Sequence, residues 1–285
     1  MRLIDSLPEN VTQTLIAERF LILELSNAAQ ESVRSVFDAA HPFFAETLGV
    51  KNGCSFPQDM GYRPFAGEYS QSSATPDQLE SFNVCARVPI PLSKLCSQSA
   101  QVLYQRMSAT FDILEPLAEA IAIEIANTLS HNRIGEKLRG MIRRWSRLQL
   151  NYSQPAGLAL PFVNQLHEDL NLLTITCASA HGLEMQVGEN DFKAITPGPE
   201  EALVFPGEIA WLLSGGVIKP LYHRVRAHPE VRERLALLFF ADPEPSLCRP
   251  WISNSVNRNI DIGARVRTNV IRFGLNGFSP EPGQV

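Results

Sequence analysis

The stretch "NQLHEDLNLLTIT" at residues 164–176 joins two side chains of metal-ligand type, His167 and Asp169, to a run of alternating apolar residues. Side chains alternate across a strand, so residues two apart project to one face; the spacing predicts that the pair opens a strand over 171–177 and can grip one ion together. A His-x-Asp pair says little by itself in a chain with six histidines. Its meaning depends on a third ligand and on the frame that would carry it.

The frame comes from the texture of the chain after Trp145. Short apolar or alternating runs, "RLQLNY", "LLTITCA", "LEMQV", "FKAIT", "ALVFP", "IAWLL", "LYHRV" and "RLALLFFA", are separated by Gly, Pro and Asn. Runs at this spacing predict an antiparallel sandwich or barrel, and about eight of them make a jelly roll whose open end can hold a ligand. His223 stands inside "LYHRV", and in a jelly roll that strand can lie beside the one bearing His167. His167, Asp169 and His223 then form one face of an octahedron. Two imidazoles and one carboxylate are the ligand set of non-haem Fe(II) oxygenases, because the opposite positions stay open to co-substrate and dioxygen. A zinc hydrolase could use the same residue types.

Arg234 begins the apolar run "RLALLFFADP". A buried guanidinium at a barrel mouth requires an anionic partner, and its fork matches a carboxylate through two parallel bonds, which points to a carboxylate co-substrate. Arg232 is the competitor, but Arg234 alone adjoins the apolar run. Upstream, "PENVTQTLIAERF" and "AAQESVRSVFDAAHPFFAE" read as amphipathic helices around a strand "LILEL", and residues 97–129 read as one long helix striped by Val102, Leu103, Met107, Phe111, Leu114 and Leu117. Between them, residues 51–77 are rich in Gly, Pro, Ser and aromatics and read as a long functional loop. Tyr62, Arg63, Glu68 and Tyr69 in it either line a substrate pocket or pin the loop to the barrel. Phe205 and Trp211 read as core, and Gly215 and Gly216 as a turn. His41, His131, His181 and His228 lack a ligand context and are expected to be structural or exposed.

Composition excludes several classes. The 285 residues are 45% hydrophobic and 19% charged, as in globular proteins, and no stretch is apolar enough to cross a bilayer. A net charge of −5, with "KLRGMIRRWSR" as the nearest approach to a basic block, argues against nucleic acid as a partner. The start "MRLIDSLPEN" lacks a basic segment leading into an apolar core, and the five cysteines form neither a C-x-x-C pair nor an even set. A reducing, cytoplasmic location is the expectation.

Over roughly residues 10–245 the chain resembles the isopenicillin N synthase-like branch of the iron(II)- and 2-oxoglutarate-dependent dioxygenases. The resemblance runs in order through "GYRPFAGEYSQSSATPDQLESF", "LQLNYSQP", "HEDLNLLTI", "GLEMQV", "ALVFPGEIAWLLSGG", "PLYHRV" and "RLALLFFADP". It implies a mainly β fold with helical buttresses, a double-stranded β-helix or cupin-like jelly roll, in a single domain over 1–285. Residues 1–144 would form a helical layer with the substrate loop, 145–243 the catalytic core, and 244–285 a tail over the barrel. It also implies Fe(II), 2-oxoglutarate and O2 as cofactor and co-substrates, with His167, Asp169 and His223 as iron ligands and Arg234 on the distal carboxylate of 2-oxoglutarate. Asn151 and Tyr152 align with a segment that helps hold that co-substrate. Where the family commonly reads Arg-x-Ser this chain has Ala236, and "NYSQP" lacks the usual Tyr-Pro. The implied reaction is hydroxylation, or desaturation, cyclisation or epoxidation, of a small-molecule metabolite with release of succinate and CO2. A 2-oxoglutarate-independent oxidase of the same fold and a non-catalytic metal-binding jelly roll are the alternatives.

Overall fold

The computed structural model describes residues 7–130, 138, 140, 142–158 and 160–272, the last three by their backbone alone; His131 lies outside the described residues. Helix α1 (Val11–Glu18), strand β1 (Leu21–Glu24) and helix α2 (Asn27–Phe44) occur where apolar spacing predicts them. The Ser26 side chain caps α2 by accepting the Ala29 amide, and the helix buries Val33, Val36, Ala40 and Phe43. Helix α3 (Leu48–Asn52) and strands β2 (Ser55–Phe56), β3 (Met60–Arg63) and β4 (Glu80–Cys85) follow. The long loop expected over 51–77 is therefore shorter, because Met60 and Tyr62 are buried on a strand that pairs with β4.

Helix α4 (Gln98–Leu129) is capped by Ser97 and buries Leu103, Met107, Phe111, Leu114 and Leu117 as its stripe predicts. Strands β5 (Arg147–Ser153), β6 (Phe162–His167), β7 (Leu173–Ala178), β8 (Leu183–Gln186), β9 (Phe192–Ala194) and β10 (Glu201–Pro206) come next. They are followed by helix α5 (Glu208–Leu213), strands β11 (His223–Arg226) and β12 (Arg234–Ala241), and helix α6 (Ile262–Arg272). One sheet runs β1-β10-β7-β12-β5-β4-β3-β2 and the other β6-β11-β8-β9, antiparallel throughout. Apart from the β8–β9 hairpin, strands β5 to β12 alternate between the sheets in the manner of a double-stranded β-helix. The N-terminal part is more than a helical layer, since β1 extends one edge of the large sheet and β2 to β4 the other.

Strand alternation sorts the side chains into two environments. In β12, Leu235, Leu237 and Phe239 point to the helices, where Phe239 meets Phe111 of α4 at 5.1 Å between ring centroids. Arg234, Ala236, Leu238 and Phe240 point between the sheets. A small core of Val163, Leu183, Leu203, Phe205 and Val225 fills part of that interior, and a cavity occupies the rest. Each buried Phe, Leu or Val is worth about 1.5–3 kcal/mol, so the helices and this small core hold the cavity walls rigid.

Two segments depart from the sequence reading. "IAWLL", expected as a strand, is α5: the amides of Gly207, Glu208 and Ile209 bond the carbonyls of Leu172, Asp169 and Asn171, which turns the chain out of β10 into a helix. The tail that begins at 244 contains α6, whose Asn269 side chain donates to the Leu170 carbonyl and whose Arg265 pairs with Glu208. Among the described residues no helix is long and apolar enough to cross a membrane.

Candidate active site

The cavity between the sheets is built by register. His167 ends β6 and is paired across the antiparallel ladder with His223, the first residue of β11. Their ring centroids lie 4.3 Å apart. Asp169 is not on a strand with His167, as the two-residue spacing suggested; it lies in the connection from β6 to β7, which turns its carboxylate back towards the two rings. Its Oδ1 stands 3.5 Å from His167 Nε2 and 3.8 Å from His223 Nε2.

Each ligand atom is oriented by a partner. His167 Nδ1 donates to the Gln165 carbonyl at 2.7 Å and His223 Nδ1 to the Leu221 carbonyl at 3.0 Å. A carbonyl only accepts, so both Nδ1 atoms carry a proton and both Nε2 atoms face inward. Asp169 Oδ2 accepts the Thr174 hydroxyl, which leaves Oδ1 turned to the rings, and Thr174 is itself held by the Asn171 amide at 3.0 Å. Burial raises the Asp169 carboxyl, but His167, His223 and Thr174 outweigh it and hold the group below the ordinary carboxylate range. Burial, reinforced by the neighbouring His167, lowers His223 to about 4, so this imidazole is neutral at pH 7. Burial lowers His167 too, but the Asp169 carboxylate outweighs it and raises this imidazole. Two imidazole nitrogens and one carboxylate oxygen, all within 4.8 Å of one another, are a donor set that fits a divalent transition metal.

Arg234 lines the same cavity from the large sheet, 6% exposed. Its Nε donates to the Ala180 carbonyl at 3.3 Å, and among the described residues no carboxylate pairs with it. Burial alone lowers it to about 10. An anionic group entering the cavity would supply the missing partner.

No family model matches the chain. A 2-oxoglutarate-dependent dioxygenase of Didymella fabae is 22% identical over 267 residues, covering 82% of this chain and 78% of the relative. The fold matches a Neurospora crassa protein solved in complex with alpha-KG and thymine, with a TM-score of 0.75 at 17% identity over 93% of this chain and 90% of that one. It also matches JOX2, solved with 2OG, Fe and JA, with a TM-score of 0.71 at 18% identity over 87% and 75% of the two chains. The chain is similar in sequence and in fold to 2-oxoglutarate-dependent dioxygenases.

The remaining expected site residues divide by strand parity. Asn151 lines the cavity and accepts from Gln149 at 2.7 Å, as β5 turns residues 147, 149 and 151 inward. Tyr152, expected beside it on the co-substrate, faces the opposite way: its ring stacks on Phe44 of α2 at 4.6 Å, because adjacent strand residues cannot share a face. Glu68 and Tyr69 line the cavity, whereas Tyr62 and Arg63 do not. Tyr62 donates to Glu80 at 2.7 Å against the helical layer, and Arg63 sits behind Glu68, 2.8 Å from its Oε2.

The cavity has further polar residues that sequence reading passed over: Asp77, Arg147, Gln149 and Asn164. Asp77 is 3% exposed; its Oδ2 accepts the Ser70 hydroxyl at 2.6 Å, and its Oδ1 has no partner among the described residues. Glu68, bonded by Arg63 and by Gln149 at 3.0 Å, is pushed up by burial against the pull of Arg63. The parity of β5 was the signal for Gln149; Asp77 had none beyond its place in a polar loop.

Proposed function

We propose that this chain is a dioxygenase that oxidises a C–H bond of a small polar molecule, with His167, Asp169 and His223 holding Fe(II) and Arg234 receiving the distal carboxylate of 2-oxoglutarate. The observation that carries the reading is the convergence of the three ligand atoms in a cavity whose wall also presents a buried, carboxylate-free arginine. When bound, iron and 2-oxoglutarate would activate dioxygen, the oxidant: one oxygen atom would enter succinate as 2-oxoglutarate loses CO2, and the other would go to the oxidised C–H bond. The protein contributes position. Thr174 and the two Nδ1 bonds fix the ligand atoms, and Arg234 fixes the co-substrate against a wall of Leu238 and Phe240 that excludes water.

The rest of the cavity lining supports a polar substrate. Asp77 offers an acceptor without a donor, and Glu68, Gln149, Asn151 and Asn164 surround it with hydrogen-bonding capacity, so a ligand bearing a hydroxyl, amide or ammonium group meets the requirement that buried polar groups be paired. Hydroxylation is the outcome this arrangement favours, in one catalytic unit spanning the chain. The test is anaerobic loading with Fe(II) and 2-oxoglutarate, then oxygen with a panel of polar metabolites. Succinate released in step with an oxidised product supports the reading. Product without succinate would instead assign an oxidase that draws its electrons from the substrate, a reading favoured by Ala236 in place of a serine.

A further inference from the structure

We propose that His181, His228 and Glu230 form a second divalent-metal site, outside the cavity, that ties the β7–β8 turn to the β11–β12 connection. His181 lies in that turn, and His228 and Glu230 lie in that connection. Glu230 Oε1 is 3.1 Å from His181 Nε2 and 3.4 Å from His228 Nδ1, and the two imidazole rings face each other edge to face with centroids 4.6 Å apart. A tetrahedral ion with bonds of about 2.0–2.1 Å to nitrogen and oxygen keeps neighbouring ligand atoms about 3.3 Å apart. The observed separations already match that edge.

Ion pairing alone explains the cluster less well. Each ring can donate an N–H to Glu230, but both donors then converge on the single oxygen Oε1. A metal ion uses the neutral form of both rings and places one charge centre between all three groups. With side chains 42%, 29% and 60% exposed for His181, His228 and Glu230, the site is open to ions from solvent and leaves the fourth position to water. Two imidazoles and one carboxylate select a borderline ion such as Zn(II) over Mg(II) or Ca(II), which take oxygen ligands.

The location gives the ion a consequence. Ala180, next to His181, accepts Arg234 Nε, and the Ser179 hydroxyl of the same turn accepts the Leu235 amide at 2.9 Å. An ion at His181 braces the corner that seats Arg234 without touching the cavity triad.

Zn(II) titration of the metal-free full-length chain by calorimetry tests this. The wild type is expected to take up two equivalents, His228→Gln one, His223→Ala one, and the double variant none. Circular dichroism melts confirm that each variant is folded, and His181→Gln, exposed and on a different segment, repeats the His228 result. Uptake by His228→Gln and His181→Gln equal to the wild type overturns the site, as does a wild-type second equivalent no tighter than free imidazole. Loss of the cavity equivalent alone, with the His228-dependent one intact, leaves this site standing and counts against the iron-binding reading instead.

Discussion

The Thr174 hydroxyl, reaching from the start of β7, donates to Asp169 Oδ2 and thereby decides which carboxylate oxygen faces His167 and His223. Thr174→Val keeps the side-chain volume and removes that bond. Loss of such an outer contact costs about 10–100-fold in metal affinity. Fe(II) or Co(II) titration should show a drop of that size with an unchanged fold.

Gly207 supports the same carboxylate from beneath. A Cβ at this position would stand 2.6 Å from the Asp169 carbonyl and 2.4 Å from that of Asn171, both backbone atoms that cannot swing aside. Gly207→Ala should therefore push the 169–171 connection outward, costing about 1–3 kcal/mol of stability and weakening metal binding together. A lowered denaturation midpoint with full metal affinity would show that the connection gives way without moving Asp169.

Arg234→Gln leaves iron binding unchanged and raises the KM for 2-oxoglutarate by about 30-fold or more, since a buried charged partner is worth about 2–5 kcal/mol. Ala236, on the same inward parity two residues along, allows the converse test. Ala236→Ser adds a hydroxyl on the co-substrate wall and should lower that KM by about 2–10-fold, the value of one net hydrogen bond.

Asp242, just past β12, is raised to about 7 by burial, partly offset by Arg147. The unfolded carboxyl titrates at about 3.9, so between these values the folded chain keeps a proton that the unfolded chain has lost. Its contribution to stability is full below about pH 4 and is lost as pH rises through 7. Asp242→Asn should flatten this slope: melts at pH 5 and pH 8 should differ less in the variant than in the wild type.

Much of this architecture was legible because parity and register do the work. The β12 run is apolar throughout after a single charge at its start, which singled out Arg234, and the shared β6–β11 register is what brings His167 to His223. Three features were not legible, each for a physical reason. "FVNQLH" is β6, but its inward Asn164 faces a wet cavity rather than a core, so the strand lacks an apolar signature. "IAWLL" is too short for its period to separate helix from strand, and carbonyls from a distant segment chose the helix. Tyr152 was placed by likeness to a neighbour when parity with Asn151 already sent it to the other face.

The proposed iron centre is tested most directly by anaerobic titration of Fe(II)-loaded protein with 2-oxoglutarate, followed by the visible charge-transfer absorption that arises when the co-substrate chelates ferrous iron. The wild type should develop the band to one equivalent of iron, Arg234→Gln only at far higher 2-oxoglutarate, and His223→Ala not at all. A wild-type protein that binds Fe(II) yet never develops the band, or a His223→Ala variant that develops it fully, would contradict a centre built on His167, Asp169 and His223.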